Sequence, residues 1–196
     1  MAFSTFMFTT RQAGQVLVDP YSLIQVREVA RLAIQLHYSM LDYLYTQLKL
    51  CSISGQPFLR PLFLEFPSDR ATWKITNQFF FGPALMVAPS VTQGTSTVGV
   101  YFPNEEFYDF FRLTYIPKKS ESRWKDVVAS EYQTPIYLRA GHIMVIRRPN
   151  ITVSLTQESR LSLIVAAKQH LSFNESDGDG FLLAQGEIYI PADSPA

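Results

Sequence analysis

The chain has 196 residues, 47% of them hydrophobic and 14% aromatic, so it can bury a core and lies outside the composition of disordered segments. Its 17 Lys and Arg against 17 Asp and Glu give a formal net charge of zero, which excludes the one-sided positive field of a nucleic-acid binder. The single cysteine, Cys51, excludes an intramolecular disulfide framework, and the longest apolar run, Phe79 to Ala88, is far too short for a membrane span.

Residues 1–10 are apolar but lack a basic n-region and a small-residue cleavage site, so a secretory signal is not expected. Asp19 and Pro20 read as an N-cap followed by proline at the first helical position. Apolar residues then recur at Leu23, Val26, Val29, Ala30, Ala33, Ile34, Leu41, Leu44 and Leu48, with His37 on the same stripe, which predicts one long amphipathic helix. It stops where Gly55 supplies a left-handed C′ residue and Pro57 blocks continuation. Phe58–Phe66 is almost continuously apolar and short, the pattern of a strand buried on both faces, and Pro67–Asp69 turns the chain.

From Ala84 the helical period disappears. Short runs separated by Pro, Gly, Asn or Ser take over: Ala84–Ala88, Thr97–Phe102, Phe107–Phe111, Pro135–Leu138, Ile143–Ile146, Ile151–Leu155, Leu161–Ala167 and Glu187–Ile190. Lys118–Lys125 is polar and reads as a long exposed loop, and Pro191–Ala196 as a frayed end. No internal repeat is present. The predicted fold is α+β and mostly β: the last helix and strand of a (β/α)8 barrel followed by an antiparallel β-sandwich.

Three runs, Tyr38–Tyr45 with Gly55–Pro67, Asn77–Pro89 and Pro135–Met144, together resemble glycoside hydrolase family 31, the α-glucosidases that include lysosomal acid α-glucosidase and the intestinal maltases and sucrases. The first is similar to the end of the family's catalytic barrel, the second to the segment entering its proximal C-terminal sandwich, and the third to a strand and turn of that sandwich. Phe107–Phe110 stands where the family has a Trp-Tyr-Asp run, and Asn174–Asp179 where it has an acidic glycine turn. The resemblance implies three parts: 1–83 as the C-terminal remnant of the barrel, 84–150 as the proximal sandwich, and 151–196 as the start of a distal β-domain.

It also implies a parent activity, hydrolysis of terminal non-reducing α-linked glucose from maltose-like substrates, with an α-glucoside or maltooligosaccharide as the ligand of the full-length relatives. Such retaining enzymes use an Asp nucleophile and an Asp acid/base about 5–5.5 Å apart, and need no metal or organic cofactor. In relatives the nucleophile lies in a Trp-x-Asp-Met-Asn-Glu run, and no Asp of this chain has that context. Ala2–Phe6 is similar to a run that relatives continue with Arg-Asn-His, whose His binds the sugar. Here Met7–Arg11 follows, and placing Arg11 on the family Arg puts Ala13 in place of the His. Asn77 replaces an Asp that relatives carry. The isolated chain is therefore expected to be inactive, with no catalytic, cofactor-binding or metal residue assigned. Relatives are lysosomal, secreted or membrane-anchored, and the compartment of this chain is left open.

The remaining chemistry-bearing residues have plainer readings. Glu105, Glu106 and Asp109 are the densest carboxylates, but neighbours in a turn point apart, and a solvated acidic loop is expected. Glu175, Asp177 and Asp179 open like a calcium loop, yet its twelfth position is Gly186, with Glu187 one residue late, so a sandwich turn is expected. His37, His142 and His170 lack ligand spacing, and Cys51 has no catalytic signature. Phe79–Phe81 and Phe107–Phe111 are read as core rather than as sugar-stacking surface. Arg60 and Glu65 interrupt an apolar run and must be paired, which in a complete enzyme means neighbouring barrel strands. Without those strands, the long helix and Phe58–Phe66 are expected to expose apolar surface that needs a protein partner to cover it or leads to aggregation. Asn150 and Asn174 begin the two sequons for N-glycosylation. A second reading of the chain is a non-catalytic module or truncated pseudoenzyme that acts by protein contact or weak glucan binding.

Overall fold

Two helices, not one, occupy the start of the computed structural model, which is described over residues 24–92, 94–119, 123–129 and 133–169. α1 (Ile24–Ser39) and α2 (Leu41–Ser54) part at Met40. There the Met40 amide is shared between the carbonyls of Leu36 (3.3 Å) and His37 (3.1 Å), and Ser39 Oγ donates back to Leu36 O at 2.7 Å. Both features tighten a helical turn and bend it, an effect that apolar periodicity does not register. α2 ends as anticipated: Gly55 adopts φ 72° and its amide donates to Cys51 O.

The expected strand Phe58–Phe66 is corrected. Only β1 (Leu59–Pro61) is extended, and α3 (Leu62–Glu65) follows at once. Pro61, at φ −64° and ψ 155°, has no N–H for a ladder and starts the helical turn instead. The remaining elements are a 3-10 helix (Arg70–Lys74), β2 (Phe79–Phe81), β3 (Leu85–Val87), β4 (Thr97–Phe102), β5 (Phe107–Asp109), β6 (Tyr115–Ile116), β7 (Arg123–Val128), β8 (Ile136–Arg139), β9 (His142–Arg147), α4 (Val153–Gln157) and β10 (Leu161–Ala166). Two expectations fail here. The polar run ending at Lys125 enters a strand, β7, and Ile151–Leu155 is not a strand, because Thr152 accepts the Leu155 amide at 3.2 Å and caps α4. Glu187–Ile190 lies outside the described residues.

The strands form antiparallel sheets. One has six strands in the order β1-β2-β3-β8-β5-β6, and two ribbons pair β4 with β7 and β9 with β10. Thus β1 and β2 share one sheet with β3 and β8, so the sheet runs across position 83. Register puts Phe80, Met86, Phe107 and Tyr137 on one face, where they form a core with Val98, Val100 and Phe102 of β4. On the other face Phe81, Leu85, Val87, Ile136 and Leu138 pack against Met40, Tyr43 and Leu44 and against Met144 of β9. The six-stranded sheet is therefore a middle layer with a ribbon on one side and helix plus ribbon on the other, each face apolar because each is buried. Phe80, Phe81 and Phe107 are core residues, in line with the sequence, whereas Phe111, expected in the core, is exposed.

Candidate functional site

The densest cluster of charge lies on the β4 side of this sheet. Pairing of Arg60 with Phe80, and of Arg139 with Phe107, puts both guanidinium-bearing residues on that face. Glu65, at the end of α3, receives Arg60 Nη1 at 2.9 Å and Arg139 Nη1 at 2.7 Å, one on each carboxylate oxygen. Arg139 also bonds both oxygens of Glu105 through Nε and Nη2, the latter at 2.8 Å. Its guanidinium carbon stands 5.0 Å from the Phe66 ring centre and 5.8 Å from that of Phe80. Burial works against the Arg139 charge, but the bonds from Glu105 and Glu65 outweigh it and hold the group above its ordinary range.

Three sequence readings are corrected by this cluster. Arg60 and Glu65 find each other and a β8 arginine within the chain rather than a neighbouring barrel strand. Glu105 is bound to Arg139, and Glu106 is buried, accepting the Gln169 amide at 2.8 Å, so the acidic run is not a solvated loop. Asp109 turns inward on its own backbone, its Oδ1 accepting from the amides of Phe111 (3.0 Å) and Arg112 (2.8 Å). None of these carboxylates faces another across an open cleft. Bound by guanidinium or amide donors, they act as acceptors that hold segments together.

His142 opens β9 beside this cluster. Burial, then the Arg139 charge, pushes it down to about 4, against the opposing pull of Glu105 and Glu65. It is a neutral, packed histidine at ordinary pH. His37 is buried in α1. Among the described residues no three His, Cys, Asp or Glu side chains group to hold a metal, and no helix is long and apolar enough to cross a membrane. Asn150 is exposed, with its Oδ1 accepting the Ile151 amide, while His170, Asn174, Glu175, Asp177, Asp179 and the segment 1–13 lie outside the described residues.

A second ionic tie escaped the sequence reading. Arg147 of β9 donates to Asp42 Oδ2 of α2 at 2.7 Å, to Ser159 O at 2.6 Å and to Gln157 O, and so pins α2 and the end of α4 to the ribbon. Arg139 and Arg147 were overlooked because a charge at a strand end reads as solvent-facing. The signal available was a lone Arg closing an apolar run, as in Ile136–Arg139.

Apolar surface is left open on the first part of the chain. α1 exposes Ile24, Val26 and Leu32, α2 exposes Tyr45 and Ile53, and β1, α3 and the 3-10 helix expose Leu59, Phe63, Leu64 and Trp73. α3 packs against the 3-10 helix, so Phe63, Leu64 and Trp73 stand on neighbouring elements, whereas Leu59, opposite Phe81, belongs to the other face of the sheet.

Comparison with known proteins bears on what this assembly is part of. Residues 55–144 match the Glycosyl hydrolase family 31 C-terminal domain model. The chain is 34% identical over 169 residues to the probable alpha/beta-glucosidase agdC of Aspergillus flavus, covering 84% of this chain and 19% of that protein. It is 29% identical over 197 residues to the lysosomal alpha-glucosidase of Mus musculus, covering 92% of this chain and 20% of that one. Among solved structures, the family 31 dextranase of Flavobacterium johnsoniae complexed with glucose superposes with a TM-score of 0.71 at 29% identity, over 76% of this chain and 18% of that one. The chain thus spans only 19–20% of the length of these curated relatives.

Proposed function

We propose that this chain, which carries the glycosyl hydrolase family 31 C-terminal domain over residues 55–144, is the C-terminal part of a retaining α-glucosidase acting on terminal α-linked glucose of maltose-like substrates, and that its own role there is structural. In this reading residues 1–83 end the catalytic barrel, 84–150 form the proximal sandwich and 151–196 begin a distal domain. The nucleophile and acid/base belong to the barrel, and the isolated chain releases no glucose. The matches of 84% and 92% of this chain to two glucosidases support the assignment.

The observation that carries the structural role is the continuity of β1 with the six-stranded sheet, reinforced by the Glu65 bridge from Arg60 to Arg139. A segment tied in this way transmits rigidity to whatever rests on its open side. Around α3 that side is apolar, with Phe63, Leu64 and Trp73 exposed, which suits a barrel wall as occupant. The test is a chimera in which this chain replaces the corresponding region of the Aspergillus flavus relative. Maltose hydrolysis by the chimera, lost on Phe63→Asp, supports the role. An active chimera indifferent to charges at Phe63 and Leu64 contradicts it.

A further inference from the structure

The β4–β7 ribbon turns one face to the core through Val98, Val100 and Phe102. Its other face, by register, carries Thr97, Gly99 and Tyr101 opposite Val128, Asp126 and Trp124. Trp124 is 58% exposed, an unusual outlay for the largest side chain on a strand. Its ring is nevertheless held. Cε3 and Cζ3 lie 3.7 and 3.9 Å from where a β-carbon on Gly99 would stand, so the indole rests over this position at ordinary contact distance. The Tyr101 ring meets it at 5.3 Å and 61°, and Tyr101 is itself anchored through its hydroxyl to Asp69 Oδ2 at 2.7 Å.

Beside the indole stands Asp126, whose Oδ1 lies 3.7 Å from the same hypothetical β-carbon. Two residues further along the same face, Val128 borders a cavity of about 640 Å³ lined by Ser90, Thr95, Ser96, Gln133 and Thr134. From Trp124 to Val128 the strand advances about 13 Å, the reach of a short oligomer rather than a single small molecule. An exposed, pre-seated aromatic plane, a carboxylate acceptor and a pocket of hydroxyl and amide groups complement one chemical class. Pyranose rings present an apolar C–H face to an aromatic plane and a rim of hydroxyls to polar groups. A protein partner would call for an apolar centre of several side chains, and here Val128 is the one aliphatic side chain on this face.

We propose that the outer face of the β4–β7 ribbon, from Trp124 through Asp126 to the cavity beyond Val128, binds an oligosaccharide of glucose units. Trp124 stacks under one ring and Asp126 accepts from its hydroxyls. That the units are glucose, and α-linked, rests on the function proposed above; that the site takes pyranose rings does not.

Calorimetric titration of the full chain with maltoheptaose and, separately, cellohexaose tests the site. Saturable binding is expected, weakened at least about tenfold in Trp124→Ala by loss of the stacked ring and several-fold in Asp126→Asn. Trp73→Phe, which leaves Trp124 as the sole indole, should keep both the binding and a ligand-dependent fluorescence change. Asp126→Asn preserves the shape of the ribbon, so the test stands even if Trp124→Ala unfolds. Binding of cellohexaose alone through Trp124 supports the site and counts against the α-glucoside reading. No saturable binding of either sugar, or binding that Trp124→Ala and Asp126→Asn leave unchanged, overturns the proposal.

Discussion

The phenolic oxygen of Tyr43 lies 2.4 Å from the point where a β-carbon on Gly82 would stand, and it donates to Phe81 O at 2.8 Å while receiving the Ala84 amide at 3.4 Å. A fully buried tyrosine on α2 thus closes the β2–β3 turn, and burial raises its hydroxyl well above the ordinary range. Gly82 sits at φ 68°, so a side chain there is strained as well as crowded. Gly82→Ala is expected to destabilise the chain by about 2–4 kcal/mol. Tyr43→Phe is expected to cost about 1–3 kcal/mol by removing a buried hydrogen bond. The double variant should cost less than the sum, because Phe removes the colliding oxygen. Equilibrium urea denaturation of the four proteins measures the difference, and strict additivity contradicts the contact.

Arg139 is the hub of the ionic cluster, so its loss leaves Glu105 without its guanidinium partner and Glu65 with Arg60 alone. Arg139→Met is expected to cost about 2–4 kcal/mol, below the full buried-pair value because Glu105 is partly exposed. Arg139→Lys should recover less than half of it, since one ammonium cannot bond Glu65 and both oxygens of Glu105 together. Thermal and urea unfolding check both. A neutral Arg139→Met variant would sink the view that the cluster clasps α3 to β8.

Much of the β-structure was legible in the sequence. Strands β4 and β10 lie within one residue of their expected ranges, because short apolar runs bounded by turn residues leave few alternatives. The helix end at Gly55 was equally plain. What misled was local chemistry overriding pattern: Pro61 ended a ladder that the apolar run through Phe66 seemed to continue, and the Thr152 cap turned an alternating run into α4. β7 escaped because Arg123 and Lys125 share a side with Val127 while Trp124 and Val128 lie on the outer side, so no apolar alternation marks it. The ionic cluster was half legible. Arg60 and Glu65 had to be paired, but the third member, Arg139, is 74 residues from Glu65 and only folding brings them together.

Gln78 acts as a surrogate strand. Its Oε1 accepts the Tyr101 amide at 2.8 Å and its Nε2 donates to Tyr101 O at 3.2 Å, which joins the start of β2 to β4. Gln78→Ala removes both bonds from a buried peptide and is expected to cost about 2–4 kcal/mol. Gln78→Glu keeps the acceptor but sets a buried carboxylate oxygen against the Tyr101 carbonyl, so at neutral pH it should cost at least as much. Hydrogen exchange at the Tyr101 amide should rise in Gln78→Ala well before global unfolding. An unchanged rate there contradicts the arrangement.

His142 makes stability depend on pH. Its folded value, about 4, lies below the ordinary 6.5, so the folded chain binds fewer protons between those limits than the unfolded chain. The contribution is full above pH 6.5 and is lost as pH falls towards 4, on the order of 2–3 kcal/mol. Arg139, Lys168, Glu65 and Glu105 surround it, and comparison with His142→Gln isolates its part. The variant should show a shallower loss of stability over this window. Parallel pH profiles for the two proteins would refute it.

Glucose release from maltose by the purified chain, shown to be folded by circular dichroism, tests the central claim most directly, with a full-length family enzyme as the active control. No turnover above background is expected, because Glu65, Glu105, Glu106 and Asp109 are bound to guanidinium or backbone donors. Turnover by the folded chain would contradict it and return attention to Glu65, Asp109 and Asp177 as reacting groups.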